Sequence, residues 1–175
     1  MLGLGHAILT GQPLIGKEPF AVILADDLCD TLDYDVVIAQ MIKIYNKYKC
    51  SIIAIQEVPL NEVNKYGIIS GTLIDNSNDI FKVNNLVEKP DIDNTPSNMA
   101  IIGRYILTPD IFEILKNTKP GKNGEIQITD ALLTQAKQGN VIAYKFKGKR
   151  FDCGNIEGYL EATNHYAKKI GLNIR

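Results

Sequence analysis

The sequence has no block of basic residues and few cysteines. Its 175 residues include 19 Lys and Arg against 20 Asp and Glu, which gives a formal net charge of -1. Non-specific nucleic-acid binding depends on clustered positive charge, so we expect no nucleic-acid partner. Cys29, Cys50 and Cys153 are far apart, and no pair has the CxxC spacing of a zinc site. Neither a disulfide framework nor structural zinc is therefore expected.

Long hydrophobic runs and targeting signals are also absent. The longest apolar runs are too short to span a bilayer, and no signal peptide opens the chain. We therefore predict a cytosolic protein with no membrane partner. A content of 45% hydrophobic and 22% charged residues is ordinary for a globular protein, and no linker or repeat interrupts the pattern. One domain is predicted over residues 1–175.

The residue patterns of common nucleophilic and metalloprotease sites are missing from the sequence. There is no Ser-His-Asp, Cys-His or HExxH arrangement. The glycines of "GLGHA", residues 3–7, match neither GxGxxG nor a P-loop, because no GK[ST] follows them. Chemistry that needs a nucleophilic side chain is therefore not indicated.

Apolar runs and helical periodicity predict an α/β fold. "FAVILADD", residues 20–27, is continuously apolar up to two acids, which is typical of a strand covered on both faces. A helical pattern over residues 33–49 and the apolar run "CSIIAIQEV" complete a β-α-β unit over residues 20–58. Three further strand-like runs follow without a long helix between them, so an antiparallel or mixed portion is expected. These runs are "YGIISGTLI", "IFKVNNLVEK" and "MAIIGRYIL".

The second half of the chain continues with helices and short strands. Short helices are predicted over "DIFEILKN" and "TDALLTQAKQG", the latter with Thr129 as its N-cap. "VIAYKFKG" and "RFDCG" are predicted as short strands, and "NIEGYLEATNHYAKKIG" as an amphipathic helix.

Acidic residues at two places in the sequence are candidate metal ligands. Asp26 and Asp27 end the first predicted strand, and ligands of open α/β sheets bind beyond the carboxyl ends of strands. A carboxylate there can hold Mg²⁺, which prefers oxygen ligands. Asp152 in "RFDCGN" could supply a second carboxylate to the same ion. On the residues alone, each acid could equally begin a loop or cap a helix.

Four other residues are candidates for substrate contacts. Glu88 could accept hydrogen bonds from sugar hydroxyls, and Lys89 could meet a phosphate as a point charge. Gly3 could let the backbone approach a nucleotide base, and Gly67 could leave room for a ligand. The simpler alternatives are a strand end that reaches solvent for the charged pair and a turn for each glycine.

Read in order, these stretches resemble one family. The order is "LGLGHAIL", "AVILADD", "YGII", "LVEKP", "PSNMAIIGRYIL", "GEIQITDAL" and "KGKRFDCGN". It is similar to that of the bacterial UTP–glucose-1-phosphate uridylyltransferases, or UDP-glucose pyrophosphorylases. The resemblance implies a Rossmann-like, GT-A-like α/β domain whose mixed sheet is flanked by helices. It also implies that glucose 1-phosphate attacks the α-phosphorus of UTP with Mg²⁺ as cofactor, giving UDP-glucose and pyrophosphate.

The resemblance also implies residue roles. Asp26 and Asp152 match the family's metal-binding acids, and Lys89 matches its contact to the sugar phosphate. These three residues are the implied catalytic group. Gly3 falls near the uracil, while Gly67 and Glu88 fall at the glucose ring. Asp27 stands where relatives often carry a non-acid, so it is not assigned as a ligand.

The chain departs from the family at its beginning. The family's first strand and its triphosphate-binding loop precede the "LGLGHA" stretch, so the fold is expected to be incomplete at the N-terminus and this chain alone a poor catalyst. An unpaired sheet edge would favour self-association, and a homo-oligomer is expected. Two alternatives remain open: a related enzyme with another nucleotide or sugar, such as dTTP with glucose 1-phosphate, and a non-catalytic sugar-nucleotide-binding or assembly module.

Overall fold

A six-stranded mixed sheet forms the centre of the molecule, and a computed structural model describes it for residues 2–31, 35–121 and 124–172. In spatial order the strands are β1 (Phe20–Ile23), β6 (Met99–Leu107), β3 (Ser51–Glu57), β7 (Val141–Lys145), β5 (Ile80–Glu88) and β4 (Gly67–Leu73). β3 and β7 are parallel, and the other neighbouring pairs are antiparallel. β4 also pairs with Met99 and Ala100 at the start of β6, so the sheet bends back on itself. The prediction of a mixed sheet is confirmed.

A separate two-stranded sheet lies beside the end of β1. Its strands, β2 (Asp27–Asp30) and β8 (Lys149–Asp152), are antiparallel and place Asp27 opposite Asp152. β2 follows β1 after a three-residue turn, so this small sheet brings the end of β1 next to residues more than a hundred positions away in the chain.

Six α-helices accompany the sheets in the described residues. They are α1 (Leu4–Thr10), α2 (Gln12–Ile15), α3 (Val37–Tyr48), α4 (Ile111–Asn117), α5 (Ile128–Lys137) and α6 (Ile156–Lys169). Short 3₁₀ helices cover Leu60–Lys65 and Ile92–Asn94. The predicted helices are confirmed, although residues 33 and 34, the first two of the helical pattern over residues 33–49, lie outside the described residues. None of the described helices is both long and apolar enough to cross a membrane.

The core lies on both faces of the sheet because successive strand residues point to opposite sides. In β3, Ile53 packs with α4 and α5, while Ile52 packs with α3. Both isoleucines are fully buried. The continuous apolar run of β3 is therefore explained by cover on both faces, as the sequence predicted.

The same prediction is wrong for β1. Its residues alternate between half-buried and exposed, and Ile23 is 55% exposed. Within the described residues β1 pairs only with β6, so it is an edge strand of this sheet. Phe20 and Val22 still pack on the core, and the ring of Phe20 stacks on Phe112 at 5.0 Å between centroids.

Candidate functional site

A polar cleft of about 390 Å³ lies where β1, β4, β5 and β8 bring their ends together. Five of the six predicted site residues line it: Asp26, Gly67, Glu88, Lys89 and Asp152. Further lining residues are Asp27, Tyr66, Gly103, Glu125, Gln127, Thr129 and Arg150. The acids predicted for a metal and the pair predicted for a sugar phosphate therefore share one cavity.

Asp26 and Asp152 both lie close to Gly154. A Cβ atom on Gly154 would be 3.2 Å from Oδ2 of Asp26 and 3.1 Å from Oδ1 of Asp152. The backbone fixes this approach, because the Cys153 amide donates to the Asp26 carbonyl at 2.7 Å. Asp26 is exposed and Asp152 is partly exposed, so both carboxylates can be reached from solvent.

These two acids could hold Mg²⁺. The described residues contain no cluster of three or more His, Cys, Asp or Glu side chains suited to one ion. Two carboxylates would leave most of the coordination positions to water and to ligand phosphates, which is how Mg²⁺ usually binds. The donor set therefore fits this ion.

Asp27 is in a different environment from its neighbour Asp26. It is only 5% exposed, and both of its carboxylate oxygens are engaged by protein groups. Oδ1 accepts a hydrogen bond from Nε of Arg150 at 2.5 Å, and Oδ2 accepts one from the Gly103 amide at 2.6 Å. The guanidinium of Arg104 donates to the Asp27 carbonyl oxygen. Asp27 is thus a buried acid whose two carboxylate oxygens are both hydrogen-bonded within the protein.

Arg150 is a cleft residue that the sequence interpretation missed. Besides Asp27, its guanidinium donates to the Tyr66 hydroxyl at 3.2 Å and stands over the Tyr66 ring at 5.1 Å. Its Nη2 lies 3.6 Å from Oδ2 of Asp152. Burial acts to lower the pKa of Arg150, but the hydrogen bond and charge of Asp27 outweigh it and the pKa is raised. The sequence contained a signal for Arg150, because it lies two residues before Asp152 in a predicted strand and residues two apart in a strand share a face.

The charged pair at the end of β5 is held by contacts from Thr129 and Tyr66 and by the contact between its own side chains. Thr129 donates from Oγ1 to Oε2 of Glu88 at 2.6 Å, and Nζ of Lys89 lies 3.8 Å from Oε1. Lys89 has a left-handed backbone, with φ of 45°, and its amide donates to the Tyr66 carbonyl at 2.9 Å. The Glu88 side chain is 16% exposed and that of Lys89 is 44% exposed. Both remain open to a ligand.

Thr129 does not cap its helix as predicted. α5 begins at Ile128 with Gln127 as the N-cap residue, and Thr129 lies inside the first turn. Its hydroxyl donates to the Glu88 carboxylate instead, which is the stronger partner because it is charged.

Gly67 is a glycine because its surroundings leave no space. It pairs with Glu88 across β4 and β5. A Cβ atom there would be 2.9 Å from Oγ1 of Thr129 and 3.2 Å from Oε2 of Glu88. A side chain would thus press on the hydrogen bond that orients Glu88.

Gly3 lies beside the cleft and does not line it. Its φ of 90° and the 2.8 Å between its ideal Cβ and the Ile126 carbonyl both require glycine. The segment around it is bound to "GEIQ", since the Ile126 amide donates to the Leu2 carbonyl at 2.8 Å. A shallow pocket lined by Gly3 adjoins the cleft, and Leu4 and Glu125 contribute to both.

A model of one protein family matches nearly the whole chain. The family is "Nucleotidyl transferase", and the match covers residues 1–169. Among curated proteins, a UTP–glucose-1-phosphate uridylyltransferase from Pseudomonas aeruginosa is 68% identical over 164 residues, which are 94% of this chain and 58% of that protein. UTP–glucose-1-phosphate uridylyltransferase 1 from Staphylococcus saprophyticus is 44% identical over 169 residues, 95% of this chain and 57% of that protein.

Solved structures of similar proteins have the same fold. A UDP-glucose pyrophosphorylase complexed with UDP-glucose superposes with a TM-score of 0.93 at 63% identity, over 97% of this chain and 64% of the other. A UTP-bound UGPase from Acinetobacter baumannii gives 0.84 at 36% identity, over 96% and 57%. The chain therefore spans less than two thirds of the length of these relatives.

Proposed function

Because the chain belongs to the nucleotidyl transferase family, we propose that its cleft serves the transfer of a uridylyl group from UTP to glucose 1-phosphate. The products are UDP-glucose and pyrophosphate. One observation carries this proposal: the acid pair Asp26 and Asp152 and the charged pair Glu88 and Lys89 line the same cleft. A cation site beside a sugar-phosphate site is what such a reaction needs.

The reaction is a direct displacement at phosphorus. A phosphate oxygen of glucose 1-phosphate forms a bond to the α-phosphorus of UTP, the bond from that phosphorus to the bridging oxygen breaks, and pyrophosphate leaves with the electron pair. Such a step depends on positioning and on neutralising charge. A nucleophilic side chain is unnecessary, which agrees with the absence of a catalytic triad from the sequence.

Asp26 and Asp152 would hold Mg²⁺ through one carboxylate each. When bound, the ion supplies positive charge that offsets repulsion between phosphate groups and stabilises the charge of the transition state. The closeness of the two carboxylates around Gly154 supports this assignment.

Lys89 and Glu88 would bind the two ends of glucose 1-phosphate. The ammonium of Lys89 would contact the phosphate, and the carboxylate of Glu88 would accept hydrogen bonds from ring hydroxyls. Thr129 keeps one oxygen of Glu88 occupied and so orients the other. Gly67 would sit beside the glucose ring, and Gly3 would sit near the uracil. The pocket that Gly3 lines next to the cleft supports this place for the base.

A cytoplasmic location and a homo-oligomer stay predictions from the sequence. Use of UTP and glucose in preference to dTTP or another sugar is supported by the names of the relatives, which are identical at 44% and 68% of aligned positions.

A panel of ligands tests the proposed specificity. The chain is titrated calorimetrically with UDP-glucose, dTDP-glucose and UDP, each with Mg²⁺. We expect UDP-glucose to bind most tightly, with the gain over UDP lost in Glu88→Gln because a neutral amide accepts weaker hydrogen bonds from hydroxyls. Glu113→Gln, a neutralised acid on α4 with a 68% exposed side chain, is the matched control.

The outcomes separate the alternatives. Tighter binding of dTDP-glucose would replace UTP by dTTP in the proposal. A turnover assay with UTP and glucose 1-phosphate, run in parallel, distinguishes an active chain from one that only binds. Equal affinity for all three ligands would contradict a sugar-nucleotide site.

A further inference from the structure

The guanidinium of Arg150 lies between two acids that are cross-strand neighbours. Asp27 and Asp152 face each other across β2 and β8. Arg150 is 2.5 Å from the Asp27 carboxylate and 3.6 Å from the Asp152 carboxylate. It therefore forms a close pair with the acid that is not assigned to the cation, and a looser one with the acid that is.

The structure fixes Arg150 on the Asp27 side. The second oxygen of Asp27 is held by the Gly103 amide, so this carboxylate cannot turn away from the guanidinium. Tyr66 supports Arg150 with its hydroxyl and its ring. The side chains of Asp27 and Arg150 are 7% and 10% exposed, whereas that of Asp152 is 36% exposed. The close pair is thus buried, and the acid in the looser pair is accessible to solvent.

A second cation near Asp152 is also paired elsewhere. The hydrogen bond and charge of Glu62, at 3.0 Å, are the main causes of the raised pKa of Lys65, and the charge of Asp152 makes only a small contribution. Two basic side chains beside the cleft thus each have an acid partner other than Asp152. Tyr66 donates to Asp152 at 3.4 Å, which leaves the charge of this carboxylate in place.

We propose that Asp27 is a positioning residue that holds Arg150 in the close pair, limits its contact with Asp152 to the looser one at 3.6 Å, and so keeps the Asp152 carboxylate available to a divalent cation. This inference rests on the proposed cation site at Asp26 and Asp152. It gives the two consecutive acids of "ADD" different tasks, since the first faces the ion and the second neutralises the arginine that would compete with it. Without Asp27, the nearest acid to the Arg150 charge is Asp152.

The test is a comparison of a single and a double variant by direct cation binding. Free Mn²⁺ is measured by electron paramagnetic resonance while the 175-residue chain is titrated. Asp27→Asn keeps the shape of the side chain and an acceptor for the Gly103 amide, but it releases Arg150. We expect it to weaken Mn²⁺ binding about tenfold, because the Arg150 guanidinium can then pair closely with the Asp152 carboxylate and compete with the cation. The double variant Asp27→Asn/Arg150→Gln removes the released charge and should restore the affinity.

The restoration by the double variant distinguishes positioning from other roles. If Asp27 were a direct ligand, or only a structural residue, both variants would bind Mn²⁺ equally weakly, and the inference would be overturned. Unchanged affinity in Asp27→Asn would also overturn it. Absence of saturable Mn²⁺ binding in the wild-type chain would instead overturn the proposed cation site, and this inference with it. Glu113→Gln controls for the loss of one negative charge outside the cleft.

Circular dichroism of each variant establishes that it is folded. Should Asp27→Asn alone fail to fold, the comparison moves to Asp27→Asn/Arg150→Lys and Asp27→Asn/Arg150→Gln. The lysine variant carries a cation that can reach Asp152 and should bind Mn²⁺ more weakly than the glutamine variant. Equal affinity of the two would refute the inference.

Discussion

Replacing Gly154 with alanine would put a methyl group between the two carboxylates proposed to hold the cation. The added carbon would lie 3.2 Å from the Asp26 oxygen and 3.1 Å from the Asp152 oxygen. Mg²⁺ stands about 2.1 Å from its oxygen ligands and keeps several waters. A methyl group in contact with both oxygens therefore takes the space that the ion and its waters need.

The magnitude of this effect is that of displacing the cation from one of its two protein ligands. We expect Gly154→Ala to weaken cation binding by about tenfold to a hundredfold, or about 1.4 to 2.8 kcal/mol. Folding should be nearly unaffected, because Gly154 is exposed and its φ lies outside the region reserved for glycine. The free energy of unfolding is expected to change by less than about 1 kcal/mol.

The assay combines Mn²⁺ titration with thermal unfolding of the same samples. Gly121→Ala is the matched control, since its methyl group would also lie 3.1 Å from a carboxylate oxygen, that of Asp130, but outside the cleft. Full Mn²⁺ affinity in Gly154→Ala, with folding intact, would refute the placement of the cation between Asp26 and Asp152.

Three further predictions concern α6, the cleft and the thiols. Gly158→Ala would place a methyl group 1.9 Å from the Asp152 carbonyl oxygen, so α6 must shift. Urea denaturation should show that the free energy of unfolding falls by about 2 kcal/mol. An unchanged denaturation midpoint would contradict this geometry. Lys89→Ala should weaken glucose 1-phosphate binding about tenfold in calorimetry and UDP binding much less, and an equal loss for both ligands would argue against a sugar-phosphate contact. Burial raises the pKa of Cys29 and of Cys50 to about 11, so at pH 8 both thiols should be alkylated on the order of a hundred times more slowly than in the unfolded chain, with rates that rise toward pH 11. A rate independent of pH between 8 and 10 would count against this last prediction.

The sign of the pH effect on stability follows from the same thiols. Their folded pKa is raised above the unfolded value of about 8.5. The folded state therefore binds more protons than the unfolded state between about pH 8.5 and 11, and stability falls as the pH rises through this interval. The contribution of the two protonated thiols to stability is fully present below about pH 8.5.

Much of the fold could be predicted because its signals are local. The apolar run of β3 is continuous since both faces are covered, and the runs of β4, β5 and β6 follow each other without a long helix. β1 has the same kind of run, yet it is an edge strand whose Ile23 is exposed. Composition alone cannot distinguish these cases, because cover on a strand comes from residues distant in the chain.

Site residues could be predicted from the sequence only where they belong to a recognisable motif. Asp26 and Asp152 become neighbours through the pairing of β2 with β8, and neither strand contains information about the other. The same pairing creates the contact of Arg150 with Asp27, which no spacing in the sequence reveals. Thr129 was predicted to cap its own helix. Its hydroxyl instead donates to the Glu88 carboxylate on β5, because a charged acceptor forms a stronger hydrogen bond.

The most direct test of the proposed function is calorimetric titration of the chain with UDP-glucose in the presence and absence of Mg²⁺. The proposal predicts that Mg²⁺ tightens binding to the wild-type chain, and that this enhancement disappears in Asp26→Asn and in Asp152→Asn. Equal UDP-glucose affinity with and without Mg²⁺ in the folded wild-type chain, or an enhancement that survives both substitutions, would contradict it.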